Sequence, residues 1–427
     1  MKHVLNTRLV RVAMLATLAL PTLVMATNGY QLIGVGSYQK SLGGAVTANP
    51  GSAMTAITNP AGMARIGNRT DFSMEAFMPD RSTDFGALGG DEVSSDSELY
   101  GVPAIGWTAP VDGSSDLYFG GGMYGTSGLG VDYAETLMMP AEASFSGNDL
   151  IWNGYSNIAF WQMAPTLAWN MSDRLSLGAA INIDYQQVSF QQKIRDDVTG
   201  AVFNFDLGRS ANAFGYGISI GFLYDLSDRV TIGASYKSKQ YFGDLKYNLS
   251  EGAIDTTLVG GVPFPGGTYI LDLDFPQQAA IGIALRASEA LTLSADLKWI
   301  NWSDTMDKLS VQGPDGFDFA MDPGWDDQVV YALGAAYQLN DRLALRVGFN
   351  YAESPIDENN AASNLILPGI VEDHYTLGVD YIFTQWEIAF HYMYAPKNTI
   401  RAANGFPGTE ISLKEQSIGI NLGYHWD

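Results

Sequence analysis

The sequence predicts an all-β fold, a transmembrane antiparallel β-barrel of about 14 strands. Three observations predict it. Apolar and polar residues alternate over long segments, aromatic residues stand at the ends of many of these segments, and short turns alternate with long polar connections. Strands have a side-chain period of two, so alternation over ten residues or more gives each strand one apolar face. Strands in soluble sandwiches are shorter, about five or six residues on average.

Alternation is clearest in the segment "LSLGAAINIDYQ", which begins at residue 175. The same pattern returns in residues 343–351, 386–394 and 418–426. One face of the first segment is apolar and the opposite face is small or polar, as expected for a strand between lipid and a lumen. The apolar face carries Leu175, Leu177, Ala179, Ile181, Ile183 and Tyr185.

The connections between strands fall into two classes that alternate along the chain. Short polar turns occur at residues 171–174, 226–229 and 339–342, among others, and counting strands from Asp71 gives an even number, fourteen. Short turns on one side and long loops on the other are typical of an outer-membrane barrel. Most of the formal net charge of −23 lies in the long connections, at 79–98, 127–156, 193–211, 241–275, 303–327, 353–371 and 395–411.

The chain divides into three predicted parts: a signal peptide (1–26), an N-terminal plug, or hatch (27–69), and the barrel (70–427). The first part has three cations and a short apolar run broken by Pro21, which indicates secretion. An N-terminal anchor helix, the alternative, would need a longer apolar run. Later apolar runs are also too short for a spanning helix.

Composition excludes several classes of function. The chain has no cysteine, so it is not a disulfide-stapled extracellular module. Its acidity is unsuited to nucleic acid, whose phosphates would be repelled. No nucleophile lies beside a base in a recognisable motif, so we expect no enzyme activity, no cofactor and no metal site.

Several segments, in their order along the chain, resemble the FadL family of outer-membrane transporters for long-chain fatty acids and other hydrophobic compounds. The resemblance covers essentially the whole chain after the signal peptide. The segments are "NGYQLIGVGSYQKSLGGAVTA" (28–48), "NPAGM" (59–63), "FGGGMYGTSGLGVDY" (119–133), "APTLAWNMSDRLSLGAAINIDY" (164–185), "IGASYKSK" (232–239), "LKWINWSD" (297–304), "YALGAAYQLNDRLALRVGFNYAESPI" (331–356) and "LPGIVEDHYTLGVDY" (367–381).

The resemblance implies passive uptake across the outer membrane of a Gram-negative bacterium. Outer loops would capture a fatty acid or hydrocarbon, and a lumenal pocket would hold it. The ligand would then leave sideways where the third strand kinks, below the lipopolysaccharide leaflet. The implied surroundings are outer-membrane lipid and lipopolysaccharide, and we expect a monomer.

The plug is predicted from the small-residue stretch "TANPGSAMTAITNPAGMARI" (47–66). Asparagine before proline favours a cap followed by the first helical residue, so a short helical turn should begin at Asn59 and Pro60 and continue through Ala61 and Gly62. An exposed loop or tether is the alternative interpretation.

The third strand contains six glycines between Gly120 and Gly130. Glycine weakens a strand and leaves space in the wall. By resemblance, Gly128 is the first candidate for the kink and Gly125 the second, and Gly130 is a further candidate. An equally good explanation of these glycines is that small residues on this strand make room for the plug.

Two apolar loop segments are candidates for the outer groove, since exposed apolar patches often bind ligands. Packing of loop against loop explains them as well. They supply Leu137, Met138, Met139, Val262 and Phe264.

A ligand carboxylate would need a cation in the lumen. Arg346 and Lys298 fall on the inward phase of their strands, and Lys308 follows in the next loop. An inward arginine is also commonly paired with a lumenal acid, and Asp296 is inward too. Late in the fifth strand, where fatty-acid carriers tend to have a basic residue, this chain has Tyr185, Gln186 and Gln187.

Two further interpretations remain open. A general porin for polar solutes would lack the plug and would have an open, charged constriction. A surface receptor or adhesin would depend on the acidic loops rather than on the lumen.

Overall fold

The computed structural model describes residues 28–111, 114 and 116–426, and the predicted signal peptide lies outside them. No helix in the described ranges has the length and apolar character needed to cross a bilayer. The helices are α1 (Gly36–Ser41), α2 (Ser303–Met306) and the 3-10 turns Ala53–Ile57, Pro60–Ala64, Gly86–Leu88, Thr257–Val259, Pro314–Gly316 and Ala361–Asn364.

Strands make up most of the described chain. In order they are β1 (Arg69–Asp84), β2 (Glu92–Ser94), β3 (Tyr100–Pro110), β4 (Leu117–Met139), β5 (Leu150–Met163), β6 (Thr166–Asn170), β7 (Leu175–Asp196), β8 (Val202–Ser227), β9 (Val230–Lys237), β10 (Tyr241–Phe242), β11 (Leu245–Leu249), β12 (Ile254–Asp255), β13 (Gly267–Leu271), β14 (Gln278–Arg286), β15 (Leu291–Ile300), β16 (Leu309–Gln312), β17 (Phe319–Met321), β18 (Gln328–Asn340), β19 (Leu343–Tyr351), β20 (Asp373–Phe383), β21 (Trp386–Arg401) and β22 (Glu410–His425).

Fourteen antiparallel barrel strands close on themselves, which confirms the predicted fold class. β5 and β6 form one barrel strand, because both pair with β4 on one side and with β7 on the other. The barrel closes where β1 pairs with β22, from Arg69↔His425 to Asp84↔Glu410. Closure leaves neither end strand of the sheet unpaired. The barrel strands run in the order β1, β3, β4, β5 with β6, β7, β8, β9, β14, β15, β18, β19, β20, β21 and β22.

The two faces of each barrel strand follow the predicted alternation. On β7, Ile181 is 61% exposed, whereas the neighbouring Asn182 is 1% exposed and faces the lumen. On β8, Phe214 and Ile218 are exposed, while Ser219 is buried. Apolar side chains therefore cover the outer surface of the barrel, which is the arrangement that lipid requires.

Several strands are longer than predicted. The interpretation of residues 193–211 as a long connection is wrong, because β7 continues to Asp196 and β8 resumes at Val202. The third barrel strand, β4, likewise continues to Met139. Antiparallel pairing is made by backbone groups and does not depend on apolar side chains. Paired strands can therefore continue, with polar side chains, beyond the part of the barrel that faces lipid.

Additional structure lies at the long-loop end of the barrel. β2 pairs with β1, and β10 and β12 pair with β8. A separate four-stranded sheet is formed by β11, β13, β16 and β17. Residues 28–68, the N-terminal segment, lie inside the barrel instead of extending the wall.

Candidate functional site

The N-terminal segment is bound to strands around the circumference of the lumen. The backbone N–H groups of Val46 and Thr47 donate to Asp296 Oδ2 on β15, at 2.9 and 2.8 Å. On another side, the N–H of Ala53 donates to Asp71 Oδ2 on β1 at 2.7 Å. These carboxylates are buried, so each contact is a charge-assisted hydrogen bond away from bulk water.

Asn59 connects two parts of the N-terminal segment to the wall. Its Oδ1 accepts from Ala61 N at 3.2 Å, and Pro60 is the first residue of the 3-10 turn, as the Asn-Pro pair predicts. Its Nδ2 donates to Thr47 O at 2.7 Å and to Phe222 O of β8 at 3.0 Å. One buried amide therefore caps the turn and fixes it to the barrel.

Glycines in the wall permit this close approach. A Cβ on Gly178 would lie 2.3 Å from Ala61 N, and a Cβ on Gly221 would lie 2.1 Å from Asn59 Oδ1. Such contacts are too short for any larger residue. The same relation to residues 28–66 holds for Gly120, Gly233, Gly334, Gly348 and Gly378.

Buried ion pairs that were not predicted from the sequence also hold the segment. Lys40 Nζ on α1 lies 3.0 Å from Glu75 Oε1 of β1, with both side chains almost completely buried. Arg69 contacts Asp71 at 2.7 Å and donates to Gly51 O at 2.9 Å. The inward phase of β1, at every second residue from Arg69, is the signal that could have identified Arg69, Asp71 and Glu75.

A gap in the wall lies between the second and third barrel strands. Pairing of β3 with β4 runs from Pro110↔Tyr118 to Ala104↔Tyr124. Beyond that pair, residues 100–103 continue to pair with β1, and residues 125–130 continue to pair with β5. We call the space between residues 100–103 and 125–130 the wall gap.

Local contacts shape the wall gap. The register of β4 against β5 shifts between Gly125 and Ser127, as at a β-bulge. Tyr100 Oη donates to Gly130 O across the gap at 3.2 Å. At the long-loop end, Asp96 N donates to Asp132 O at 2.8 Å and joins the two sides again. The gap is thus bounded by paired backbone at both ends.

A cavity of about 120 Å³ adjoins the wall gap from inside. Gly125, Gly128 and Gly130, the three predicted kink glycines, line it together. Tyr30 and Leu32 of the N-terminal segment form its inner side. The N-terminal segment and the third barrel strand therefore share one apolar cavity, which we call the gap cavity.

Hydrogen bonds join the N-terminal segment to β4 at the gap cavity. Leu32 N donates to Thr126 O at 3.1 Å, and Gly128 N donates to Tyr30 O at 3.0 Å. Behind them, the Tyr30 ring packs against Trp302, with ring centroids 4.6 Å apart. Burial raises the pKa of the Tyr30 phenol above its usual range, with a smaller contribution from Asp274, so Tyr30 is neutral.

The predicted lumenal cations occupy three different environments. Arg346 pairs with Asp380 at 2.5 Å and stacks over the Tyr38 ring, so it anchors the N-terminal segment. Lys298 lines a second cavity, of about 60 Å³, whose wall includes residues 31–35 of the N-terminal segment. Lys308 is 58% exposed and lies 3.6 Å from Asp322, in the connection between β15 and β18.

Lys237 was not identified from the sequence, although it continues the inward phase of β9. It lines the same cavity as Lys298, and its Nζ donates to Gln162 Oε1 at 2.9 Å. The ammonium lies 5.1 Å from the centre of the Phe275 ring. Lys237 is therefore already solvated by protein groups.

The outer-groove candidates are divided between two sites. Met138 is completely buried at the end of β4, between the partly buried Leu137 and Met139, so the first segment is strand and not loop. Val262 is 56% exposed, and the Phe264 ring packs edge-on against Phe317 at 5.2 Å. The second segment is the more accessible of the two.

Residues 24–424 match the profile of a family described as Outer membrane protein transport protein (OMPP1/FadL/TodX). The chain belongs to this family. It is therefore an outer-membrane protein of a family of transporters, not of enzymes.

Individual relatives of this FadL/TodX chain are distant. It is 26% identical to a 47 kDa outer membrane protein of Pasteurella multocida over 50% of this chain and 51% of the relative, and so matches about half the length of that protein. It is 21% identical to the long-chain fatty acid transport protein of Escherichia coli K12, over 75% and 74%. The Pseudomonas putida toluene transporter TodX shares the fold, with a TM-score of 0.73, 21% identity and coverage of 94% and 100%.

Proposed function

We propose that this protein takes up hydrophobic compounds, fatty acids or hydrocarbons, by passive diffusion, and releases them sideways through the wall gap. The observation that carries the proposal is the gap cavity, an apolar space that ends where β3 and β4 stop pairing. An apolar solute that leaves there enters the hydrocarbon layer directly and avoids both lipopolysaccharide and water.

The N-terminal segment would act as the plug in this mechanism. It fills the lumen through contacts with β1, β8 and β15, so the route for a solute runs past it and not through an open pore. A general porin needs a water-filled constriction, and the filled lumen argues against that alternative.

Capture would begin at the exposed apolar residues of the long-loop end. Val262 and Phe264 are the best placed of the predicted groove residues, while Leu137 and Met139 lie closer to the wall. The segment with Val262 and Phe264 suits capture from the outside. The segment with Leu137 and Met139 suits the next stage, in which the solute moves along β4 towards Gly130. Uptake on this route needs no cofactor.

A reversible crosslink across the wall gap tests the proposal, because the chain has no native cysteine. A Cβ on Gly125 would lie 2.9 Å from Val102 Cγ1, so Val102→Cys with Gly125→Cys places two thiols within disulfide reach. We expect oxidation to reduce toluene and palmitate uptake at least tenfold and dithiothreitol to restore it. The matched control is Ala109→Cys with Phe119→Cys, where the strands already pair.

Three results would count against the proposal. Uptake that is unaffected by a complete crosslink at residues 102 and 125 would place the exit elsewhere. An equal loss in the control pair would show that any crosslink between β3 and β4 disturbs the protein, whether or not it closes the gap. Rapid flux of sugars through the unmodified protein in liposomes would favour a porin.

A further inference from the structure

Two arginines lie directly opposite each other at the short-turn end of the barrel. Arg229 is in the turn between β8 and β9, and Arg286 is the last residue of β14. Their position continues the register Leu285↔Val230, and the N–H of Arg286 donates to Arg229 O at 2.8 Å. Like charges in such a cross-strand pair are destabilising. An anion between the two guanidinium groups would remove this repulsion.

The two arginines line a cavity of about 240 Å³, which we call the mouth cavity. Arg65 of the N-terminal segment lines it as well, and Asp228 is the one carboxylate among the lining residues. The short-turn end of an outer-membrane barrel faces the periplasm. In a chain with 46 acidic and 23 basic residues, a cavity with three arginines and one aspartate is locally cationic.

The guanidinium groups of this cavity differ in their partners. Arg65 Nη1 lies 2.6 Å from Asp225 Oδ2, so its charge is compensated. Arg286 Nη1 has only a long hydrogen bond, of 3.4 Å, to the backbone O of Asp228. Across residues 28–111, 114 and 116–426, no carboxylate lies within ion-pair distance of Arg229 or Arg286. Each guanidinium has five N–H donors, so most of those on these two residues are available to a ligand.

We propose that the mouth cavity binds a phosphate group between Arg229 and Arg286. Each guanidinium can form two parallel N–H···O bonds to an oxyanion. A carboxylate has two oxygens and satisfies one such fork, whereas a phosphate has enough oxygens and enough charge for both. The cavity is smaller than the pockets of about 300–1,000 Å³ that hold drug-sized ligands, so it suits inorganic phosphate or the phosphate of a headgroup.

A bound phosphate would also link the N-terminal segment to the wall. Ala48, Asn49 and Pro50 form part of the mouth cavity, while Arg229 and Arg286 belong to the wall. A ligand that binds the docked segment and wall together stabilises the docked state by mass action. Phosphate should therefore slow the undocking of residues 48–50. This inference does not depend on the exit of hydrophobic compounds at the wall gap.

The test is equilibrium binding of radiolabelled inorganic phosphate to the purified full-length protein in dodecyl maltoside at constant ionic strength. We expect saturable binding that sulfate displaces and chloride does not, because sulfate keeps the charge and the tetrahedral oxygens. Arg229→Gln and Arg286→Gln should each weaken binding at least about tenfold. Arg229→Lys should retain part of the affinity, since the charge remains but the fork is lost. Heat-modifiable migration on gels verifies that each variant is folded.

Arg342→Gln is the matched control. Arg342 ends the short turn at residues 339–342 as Arg229 ends the turn at 226–229. Its backbone O accepts from Ile382 N, so no second cation stands opposite it, and it does not line the mouth cavity. We expect this variant to change phosphate affinity less than about twofold.

Phosphatidylglycerol added to the micelles identifies the source of the phosphate group. Competition with inorganic phosphate that is lost in Arg229→Gln supports a lipid headgroup at the site, and phosphate binding without competition supports a free phosphate. Either result supports the phosphate site. No saturable phosphate binding, displacement by chloride as readily as by sulfate, or equal weakening in Arg342→Gln would overturn it.

Hydrogen exchange at the Asn49 amide, which donates to Val46 O at 3.1 Å, tests the link to the N-terminal segment. Saturating phosphate should slow this exchange several-fold in the native protein and leave it unchanged in Arg229→Gln. Equal exchange with and without bound phosphate would refute the link. Neither binding nor exchange depends on hydrophobic uptake, so failure of this inference and failure of the proposed function are separate results.

Discussion

Replacing Asn59 by alanine should loosen the N-terminal segment without disrupting the barrel. The substitution removes three hydrogen bonds, to Ala61 N, Thr47 O and Phe222 O. Each contributes about 0.5–1.5 kcal/mol net, so the docked turn should lose about 2–4 kcal/mol. At about 1.4 kcal/mol per factor of ten, transient undocking should become roughly 30- to 1000-fold more frequent.

The other Asn-Pro pair of the segment, Asn49-Pro50, supplies the control. Asn49 is only half-buried, and its side chain donates one bond, to Ser294 Oγ at 3.0 Å. Asn49→Ala should therefore cost about 1 kcal/mol or less, a change of several-fold in undocking. The two variants have the same change of side chain in the same segment, and they differ in how many contacts are lost.

Native-state hydrogen exchange at Gly62, whose amide donates to Asn59 O at 2.9 Å, measures the undocking directly. Uptake of labelled palmitate and toluene in the same variants measures the consequence. We expect uptake to fall in Asn59→Ala, because Tyr30 and Leu32 would no longer complete the gap cavity. Equal exchange in both variants would refute the energetic reasoning, and faster exchange with normal uptake would refute the role of the plug.

Three further outcomes are expected. Gly128→Val should fill part of the gap cavity and lower uptake several-fold in a folded barrel; unchanged uptake would exclude Gly128 from the route. Tyr100→Phe removes the bond across the gap to Gly130 O, worth about 0.5–1.5 kcal/mol, so release measured by stopped flow should accelerate by up to about tenfold, and a slower release would contradict this. Lys40→Met alone should cost about 3–5 kcal/mol in plug docking, measured by exchange, because Glu75 is left buried, and adding Glu75→Leu should recover most of it.

The barrel was predictable from sequence because lipid imposes the pattern directly. Every strand must place apolar side chains outside, so Ile181 and Asn182 occupy opposite faces in the structure as the alternation predicts. Strand ends were harder to predict. Beyond the lipid, water lies on the outer face of the paired strands, so the apolar alternation weakens. The pairing of residues 193–195 with β8 therefore left no sequence pattern to detect.

The candidate site was predictable only in part, since it is assembled from distant segments. The glycines near Gly128 stand out along the sequence, but their neighbours Tyr30, Tyr100 and Phe160 come from three other segments. Arg81, which also lines the gap cavity, lies in residues 79–98, which were predicted to be a long connection. Every second residue from Arg69 faces inward on β1, and Arg81 belongs to this series. That spacing is the signal that would have placed Arg81 in the lumen.

The glycines of the third strand fall into two structural groups, which are separated by position along the strand. Gly120 meets the N-terminal segment at Met63, where a Cβ would lie 2.7 Å from Met63 Cε, so it makes room for the segment. Gly125 and Gly130 instead meet Val102 and Tyr100 across the wall gap. Gly128 belongs to both groups, because it lines the gap cavity while its N–H donates to Tyr30 O. Movement of residues 30–32 would thus change the gap cavity without any change in the rest of the wall, and on the proposed route this would couple the position of the N-terminal segment to exit through β4.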